Sequence, residues 1–227
     1  MVVGPVQHKL IYIYDALCGW CYGFSPVVQR LHEQYADRLE FEVLSGGMIM
    51  GLRAGPIGEV AAYIEKAYPT VEEATGIRFG EDFIKNILQP GTAIFSSEMP
   101  GIALTVFRKH QPQRVVQFAH ALQNALYFNG IELSILENYL PLAEQFGLSG
   151  TDFLLEMQSE ENRYETQMEF QTVANWGING YPTVLLKPAH ERQYYMIARG
   201  YTPFERLEEV IGKILPELNP AQPLRFC

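Results

Sequence analysis

The sequence predicts an α/β fold in which a strand–helix–strand unit and a strand–strand–helix unit are separated by a long all-helical insertion. Three observations support this prediction. Residues 9–44 change from a strand-like apolar run to helical spacing and back to a strand-like run. Residues 58–176 show successive helical patterns, and two strand-like runs and a helix follow them. We therefore expect residues 1–57 and 177–227 to form one α/β domain, with residues 58–176 inserted as a helical domain.

The first unit begins with the alternating apolar run at residues 10–14, which predicts a strand. A helix is expected to follow up to about residue 36, and residues 40–44 predict the second strand. Two strands joined through a helix are usually parallel, with a right-handed crossover. The pair Gly46-Gly47 then ends the second strand, where the backbone can take a positive φ or approach a ligand closely.

Helical spacing dominates the middle of the chain. One predicted helix carries apolar residues on a single face, at Val115, Phe118, Ala119, Leu122 and Leu126. A capping box at residues 134–137 predicts a helix that ends near Gly147, with Pro141 expected to kink or break it. Further helices are expected from residues 149–152 and over residues 160–176, the second ended by Gly177.

The end of the chain returns to strands. Residues 183–187 and 194–198 each predict a strand, and the polar loop between them favours an antiparallel hairpin. Residues 202–205 then carry a threonine cap, a proline and a glutamate, which together favour a helix start. That helix is expected to reach about Leu215, because Pro216 should stop it.

Composition limits the classes of function. The chain has 227 residues, 17 basic against 26 acidic, and a net charge of -9, which argues against a nucleic-acid surface or an anionic membrane. No apolar stretch approaches the roughly 20 residues of a membrane span, and the N-terminal residues do not resemble a signal peptide. With only 3 cysteines, a disulfide-stapled secreted protein is disfavoured. We therefore expect a cytoplasmic protein.

Two of these cysteines, Cys18 and Cys21, lie two residues apart, where the first strand turns into the first helix. A helix N-terminus exposes unpaired N–H groups and partial positive charge, which stabilise a thiolate. Cys18 would lie at the mouth of the helix and act as the nucleophile, whereas Cys21, one turn further in, would be the shielded resolving thiol. Gly19 and Trp20 between them add no charge, and the missing histidine disfavours a strong oxidant.

A zinc site is the alternative for this cysteine pair. Structural zinc takes four ligands, usually from two such pairs. The chain offers no second pair, only Cys227 and scattered histidines. The residues therefore favour redox chemistry, with no metal and no bound cofactor. Cys227 is expected to be a free thiol without a role.

Three features in this order are similar to thioredoxin-fold proteins: the motif Cys18-Gly19-Trp20-Cys21, Pro26 in the following helix, and residues 179–183 before the late strand. More closely, the chain resembles the DsbA family, in particular its cytoplasmic FrnE-like members. The resemblance implies a thioredoxin-like fold with a helical insertion. It also implies a thiol–disulfide oxidoreductase of the protein-disulfide isomerase or reductase type, which uses Cys18 and Cys21.

The resemblance further implies a cis peptide bond before Pro182 and a substrate site formed by Gly19, Trp20, Tyr181 and Pro182. Protein or small-molecule thiols and disulfides would be the partners, with glutathione or another thiol as electron donor. Two positions depart from the family. Tyr181 replaces the small β-branched residue that often precedes the proline, and Tyr12 stands where thioredoxins carry a buried carboxylate.

Two other functions stay open. Relatives of this fold such as 2-hydroxychromene-2-carboxylate isomerase and kappa-class glutathione transferases use bound glutathione, with a serine at the nucleophile position. The cysteines at positions 18 and 21 argue against this class. A binding module or holdase, whose helical block presents an apolar groove, is the third hypothesis.

Several other side chains have two interpretations each. Asp15 is either a proton acceptor for Cys21 or, as the spacing favours, a turn residue that accepts local N–H groups. Tyr22 and Phe24 are expected to pack rather than to line a groove. Arg53 is either a glutathione carboxylate ligand or, as we favour, a surface residue. The histidines on helical stretches are expected to be structural or exposed: His32, His110 and His120.

Overall fold

The molecule is built on a four-stranded mixed sheet. The computed structural model describes residues 8–189, 191 and 193–218. The strands are β1 (His8–Tyr14), β2 (Leu39–Ser45), β3 (Gly55–Pro56), β4 (Ile94–Phe95), β5 (Thr183–Lys187) and β6 (Tyr195–Arg199). The large sheet has the order β2-β1-β5-β6, whereas β3 and β4 pair separately. β1 and β2 are parallel, and β5 and β6 form an antiparallel hairpin, so both predicted strand pairings are confirmed.

Helices surround this sheet. They are α1 (Gly19–Tyr35), α2 (Ala61–Thr75), α3 (Glu98–His110), α4 (Val115–Tyr127), α5 (Tyr139–Gln145), α6 (Gly150–Met157), α7 (Glu160–Asn175) and α8 (Phe204–Leu218), with a π-helical segment at Phe83–Leu88. α1 connects β1 to β2, α2 to α7 lie between β2 and β5, and α8 follows β6. The order of elements is therefore the predicted one: an α/β fold interrupted by a long helical segment.

β1 is buried on both faces because it is a central strand. Its alternating side chains send Leu10, Tyr12 and Tyr14 into the main core, which also contains apolar residues of α1 and α8. Ile11 and Ile13 point into a smaller cluster on the other face, which contains residues of α7 and β5. β1, which leads to the cysteines, is therefore packed against apolar side chains on both faces of the sheet.

The inserted helices bond directly to the main chain of β2. Glu169 of α7 accepts a hydrogen bond from the Ser45 N–H at 2.7 Å. Arg108 of α3 donates to the Val43 carbonyl oxygen at 2.8 Å and also pairs with Glu169. Since Glu169 is 9% exposed, this ion pair is largely buried. It fixes the end of β2, from which the Gly46-Gly47 turn departs.

Three details of the helix prediction were wrong. The capping box at residues 134–137 does not form, because the Ser134 hydroxyl donates to Glu132, and α5 begins only at Tyr139. Pro141 lies in the first turn of α5, where its missing N–H is tolerated. Pro216 does not end the last helix, since α8 continues to Leu218.

Two other predicted helix ends are confirmed. Ser149 caps α6 by accepting from the Asp152 N–H. Gly177 follows α7 with a positive φ of 73°, a conformation in which glycine has no Cβ penalty. The short pair β3–β4 and the π-helical segment were not predicted, because strands of two residues show no measurable periodicity.

Candidate active site

Cys18 occupies the N-cap position of α1, where the chain leaves β1 and enters the helix. Its backbone is extended, with φ -93° and ψ 111°, and its Sγ accepts a hydrogen bond from the Cys21 N–H at 3.4 Å. The sulfur therefore takes the place of the side-chain oxygen that usually caps a helix. Helix N-termini carry partial positive charge and are an environment in which proteins place reactive thiols.

The two thiols differ in exposure. Cys18 is 8% exposed and Cys21 is 0% exposed, and both are free thiols. Burial raises the pKa of the Cys21 thiol, the neighbouring Cys18 raises it further, and a hydrogen bond to the Asp15 backbone acts in the opposite direction. Only Cys18 reaches the surface, so the two positions suit a nucleophile and a shielded resolving thiol.

The loop before β5 faces these cysteines. The Tyr181–Pro182 peptide bond is cis. The Cys18 thiol donates to the Tyr181 carbonyl oxygen at 3.6 Å, which joins two stretches 163 residues apart in the sequence. The Pro182 carbonyl oxygen accepts from the Gly200 N–H at 2.7 Å, so the loop is also tied to the end of β6.

The Tyr181 side chain packs against the turn after β2. Its hydroxyl donates to the Gly46 carbonyl oxygen at 2.8 Å. A Cβ at position 46 would lie 2.0 Å from the Tyr181 ring, so the ring occupies the space that any other residue would fill. The Gly46-Gly47 pair therefore permits the close approach that its sequence suggested, and the approaching group is a side chain of the protein itself.

Asp15 lies completely buried below the motif. Its Oδ1 accepts from the Leu17 N–H at 3.0 Å, and its Oδ2 accepts from the Met48 N–H at 2.8 Å. Burial raises the pKa of Asp15, while these two N–H groups and Ser97 act in the opposite direction. The carboxylate accepts the local Leu17 N–H, as favoured from the sequence, and through the distant Met48 N–H it also joins the motif to the turn after β2.

An aromatic cluster from the insertion supports the motif. The Tyr127 hydroxyl donates to the Leu17 carbonyl oxygen at 2.6 Å, and its ring stacks on Tyr22 at 5.2 Å. Phe79 packs edge-on against both of these rings. Tyr22 and Phe24 are buried in the core. Sequence reasoning missed Tyr127 and Phe79, since no local spacing connects either residue with the cysteines.

An apolar cavity of about 370 Å³ opens beside Cys18. Its walls include Gly19, Trp20 and Tyr181 of the predicted substrate site, while Pro182, Tyr22 and Phe24 do not line it. Most of the remaining wall comes from the insertion and from the turn after β2: Met48, Ile49, Val60, Tyr63, Ile64, Ala67, Tyr68, Val71, Phe79, Phe95 and Tyr127.

A second, more polar cavity of about 510 Å³ lies on the other side of Tyr181. Its polar walls are Arg53, Gln167, Gln171 and Asn179, and the rest are Gly46, Gly47, Met48, Met50, Phe170, Ala174, Ile178 and Tyr181. Arg53 is exposed, as favoured from the sequence, and it stands at the rim of this cavity.

The three histidines on helices contact side chains other than the cysteines. His32 contacts Gln117, His110 pairs with Glu156, and His120 bonds to Ser25. Burial lowers the pKa of His32 and of His120. Across the described part of the chain, no three histidine, cysteine or acidic side chains come together as metal ligands would. Cys227 lies outside the described residues.

Comparisons with known proteins place this site in context. No protein-family model matches the chain. A structure from Nitrosomonas europaea described as a candidate protein disulfide isomerase is 29% identical with a TM-score of 0.81, covering 93% of this chain and 98% of that one. The cytosolic disulfide reductase DsbM from Pseudomonas aeruginosa is 22% identical with a TM-score of 0.77, covering 92% of this chain and 99% of that one.

Two further proteins are also similar to the chain. A 2-hydroxychromene-2-carboxylate isomerase is 12% identical with a TM-score of 0.66, covering 95% of this chain and all of that one, so it shares the fold alone. The ClpXP adapter protein SpxH from Halalkalibacterium halodurans is 23% identical over 236 residues, covering 96% of this chain and 73% of that protein.

These likenesses agree with the architecture described above. Among the described residues, no helix has the length and apolar character needed to cross a membrane. The chain therefore has a thioredoxin-like fold with a helical insertion, and over nearly its whole length its structure is similar to those of a candidate protein disulfide isomerase and of the disulfide reductase DsbM.

Proposed function

We propose that this protein is a thiol–disulfide oxidoreductase in which Cys18 is the nucleophile and Cys21 the resolving thiol. One observation carries the proposal. The Cys18 sulfur sits at the N-cap of α1, reaches the surface beside a fully buried partner, and lies 3.6 Å from the Tyr181 carbonyl oxygen. This arrangement presents one sulfur to a substrate and keeps the second within one helical turn.

The reaction follows from this placement. The Cys18 thiolate attacks one sulfur of a substrate disulfide, which breaks the substrate S–S bond, forms a mixed disulfide and expels one substrate thiolate. Cys21 loses its proton and attacks the Cys18 sulfur, which releases the second substrate thiol and leaves a Cys18–Cys21 disulfide. The second step is fast because both sulfurs belong to the same helical turn.

The electrostatics favour a reductase. An oxidant such as DsbA owes its potential to a stabilised reduced form. Here neither Gly19 nor Trp20 supplies a cation between the cysteines. Burial and the neighbouring Cys18 disfavour the Cys21 thiolate. The reduced pair therefore has less stabilisation than that of a strong oxidant, and we infer that the protein reduces disulfides.

We place this activity in the cytoplasm, with glutathione or another thiol restoring the reduced pair. The low cysteine content supports a reducing compartment. The similar DsbM protein is described as a cytosolic disulfide reductase, and one of its structures was obtained with glutathione. Protein or small-molecule disulfides are the proposed substrates.

The testing experiment is a titration of the Cys18–Cys21 pair in glutathione buffers, followed by thiol alkylation. A reductase should give a reduction potential similar to that of thioredoxin, about -270 mV. A reduction potential of about -120 mV would indicate an oxidant or isomerase. Cys18→Ser should lose disulfide reduction. Full activity in that variant would overturn the proposal and favour the glutathione-dependent isomerase class or a binding module.

A further inference from the structure

Two side chains, Tyr181 and Met48, line both the apolar and the polar cavity. The cavities therefore meet at these residues, beside the nucleophile. Cys18 itself lines only the apolar cavity. The Tyr181 ring is held in place by the bond from its hydroxyl to the Gly46 carbonyl oxygen at 2.8 Å. A disulfide that reaches Cys18 thus meets the apolar cavity directly and reaches the polar cavity past Tyr181 and Met48.

The apolar side suits a hydrophobic group. Its walls are mostly aromatic and aliphatic, and they include the exposed side chains of Val60, which precedes α2, and Tyr63 in its first turn, which are 46% and 71% exposed. A volume of about 370 Å³ falls within the range of small-molecule sites. Burying an apolar group against these side chains is favourable in proportion to the area removed from water.

The polar side offers a cation. Arg53 is exposed at the rim and forms no ion pair with any other residue that the structure describes. Gln167 and Gln171 of α7 line the same cavity and add amide groups. A guanidinium binds a carboxylate through charge-assisted hydrogen bonds, often two at once. The polar cavity therefore suits the carboxylate-bearing part of a substrate.

We propose that the preferred substrate is an asymmetric disulfide, with an apolar half in the cavity beside Cys18 and a carboxylate-bearing half at Arg53. Tyr181 separates the two halves. This inference rests on the proposed function and adds a substrate class and a direction of cleavage. The insertion and the turn after β2 supply most of the apolar wall. They therefore determine which half of the disulfide lies in the apolar cavity, and so which sulfur Cys18 attacks.

The order of bond changes follows. The Cys18 thiolate attacks the sulfur of the apolar half, a Cys18–sulfur bond forms, and the carboxylate-bearing thiolate leaves on the Arg53 side. Cys21 then gives up its proton and attacks Cys18, which releases the apolar thiol. The enzyme becomes a disulfide while the substrate becomes two thiols, and two molecules of an external thiol reduce the enzyme again.

Trapping the first intermediate tests the direction. Cys21→Ser and Cys21→Ala cannot complete the second step, so each keeps one substrate half on Cys18. Each is mixed with the disulfide of 2-phenylethanethiol and 3-mercaptopropionate, and the adduct mass identifies the retained half. The same disulfide mixed with a short peptide that has one cysteine gives the intrinsic ratio of phenylethyl to propionate adducts. We expect this ratio to be about five times higher on the enzyme variants than on the peptide. The intrinsic ratio, or an excess of the propionate adduct, would overturn the proposal.

A second measurement tests Arg53 in the wild-type background. The kcat/KM for the carboxylate disulfide should exceed that for its neutral amide about fivefold, and Arg53→Gln should abolish this preference. Arg38→Gln is the matched control, because Arg38 lies beyond the far end of the 17-residue α1, about 25 Å along the helix axis from Cys18. A preference that survives Arg53→Gln would overturn the role of Arg53.

The outcomes separate this inference from the proposed function. If the wild type reduces both disulfides equally well, the oxidoreductase activity stands and the asymmetric substrate is wrong. If the wild type reduces neither disulfide, nor any other disulfide, both proposals fail.

Discussion

Replacing Gly46 with alanine tests the contact that positions the loop beside Cys18. A Cβ at this position would lie 2.0 Å from the Tyr181 ring. Carbon atoms make favourable contacts at about 3.5 Å, so the ring must move by roughly 1.5 Å. The φ of Gly46 is not positive, so the substitution adds a steric conflict without backbone strain.

The expected cost combines two effects. Inserting a methyl group into a packed site costs about 1–3 kcal/mol. Displacing the ring also breaks the hydrogen bond from the Tyr181 hydroxyl to the Gly46 carbonyl oxygen, which is worth about 1 kcal/mol. We therefore expect Gly46→Ala to lower the free energy of unfolding by about 2–4 kcal/mol and to reduce kcat/KM, since the Tyr181 carbonyl oxygen contacts the Cys18 thiol.

Urea denaturation and disulfide reduction are the assays, and a double-mutant cycle identifies the cause. Tyr181→Ala alone loses the ring, and Gly46→Ala should then cost much less in that background. Gly212→Ala is the control, because a Cβ there meets open space within α8, and alanine is the better helix former. The reasoning is refuted if Gly46→Ala is as stable and active as the wild type, or if both backgrounds show the same cost.

Three other predictions concern single side chains. Because burial raises the pKa of Asp15 above the ordinary range of a carboxyl group, the folded state holds the proton more tightly than the unfolded state. Wild-type stability should therefore fall as the pH rises through the folded pKa, and urea titrations of Asp15→Asn should lack this loss. Arg108→Met leaves Glu169 buried without its cation and should lower the free energy of unfolding, measured by urea denaturation, by about 3 kcal/mol. Lys85→Met removes a cation from an exposed pair with Glu81 and should not change this free energy measurably. Equal effects of the two substitutions would contradict this account. Ser149→Ala removes the cap of α6 and should lower the unfolding free energy by about 1 kcal/mol, whereas an unchanged midpoint would show that the cap contributes nothing.

Local sequence patterns predicted the elements that depend on local chemistry. The turn from strand to helix at Cys18 and Cys21 follows from an alternating run ended by a helical pattern. The hairpin of residues 183–199 follows from two β-rich runs around a polar loop. Pro216 shows where such patterns fail. The proline lacks an N–H and crowds the carbonyl of residue 212, yet the helix continues for two residues beyond it.

The contacts that complete the site could not be predicted, because they join distant segments. Asp15 accepts from Met48, and Tyr181 donates to Gly46. Tyr127 reaches Leu17 from 110 residues away. Each of these bonds depends on where the insertion and the late loop pack, which no periodicity in one segment encodes. The sequence therefore predicted the nucleophile but missed most of the walls around it.

The ion pair between Arg108 and Glu169 also has a consequence for solubility. β2 is an edge strand of the sheet, and an unpaired edge is a template for adding a strand from another molecule. The Val43 carbonyl oxygen and the Ser45 N–H are occupied by these two side chains. The pair thus replaces the hydrogen bonds of a missing neighbour strand and protects this edge against intermolecular aggregation.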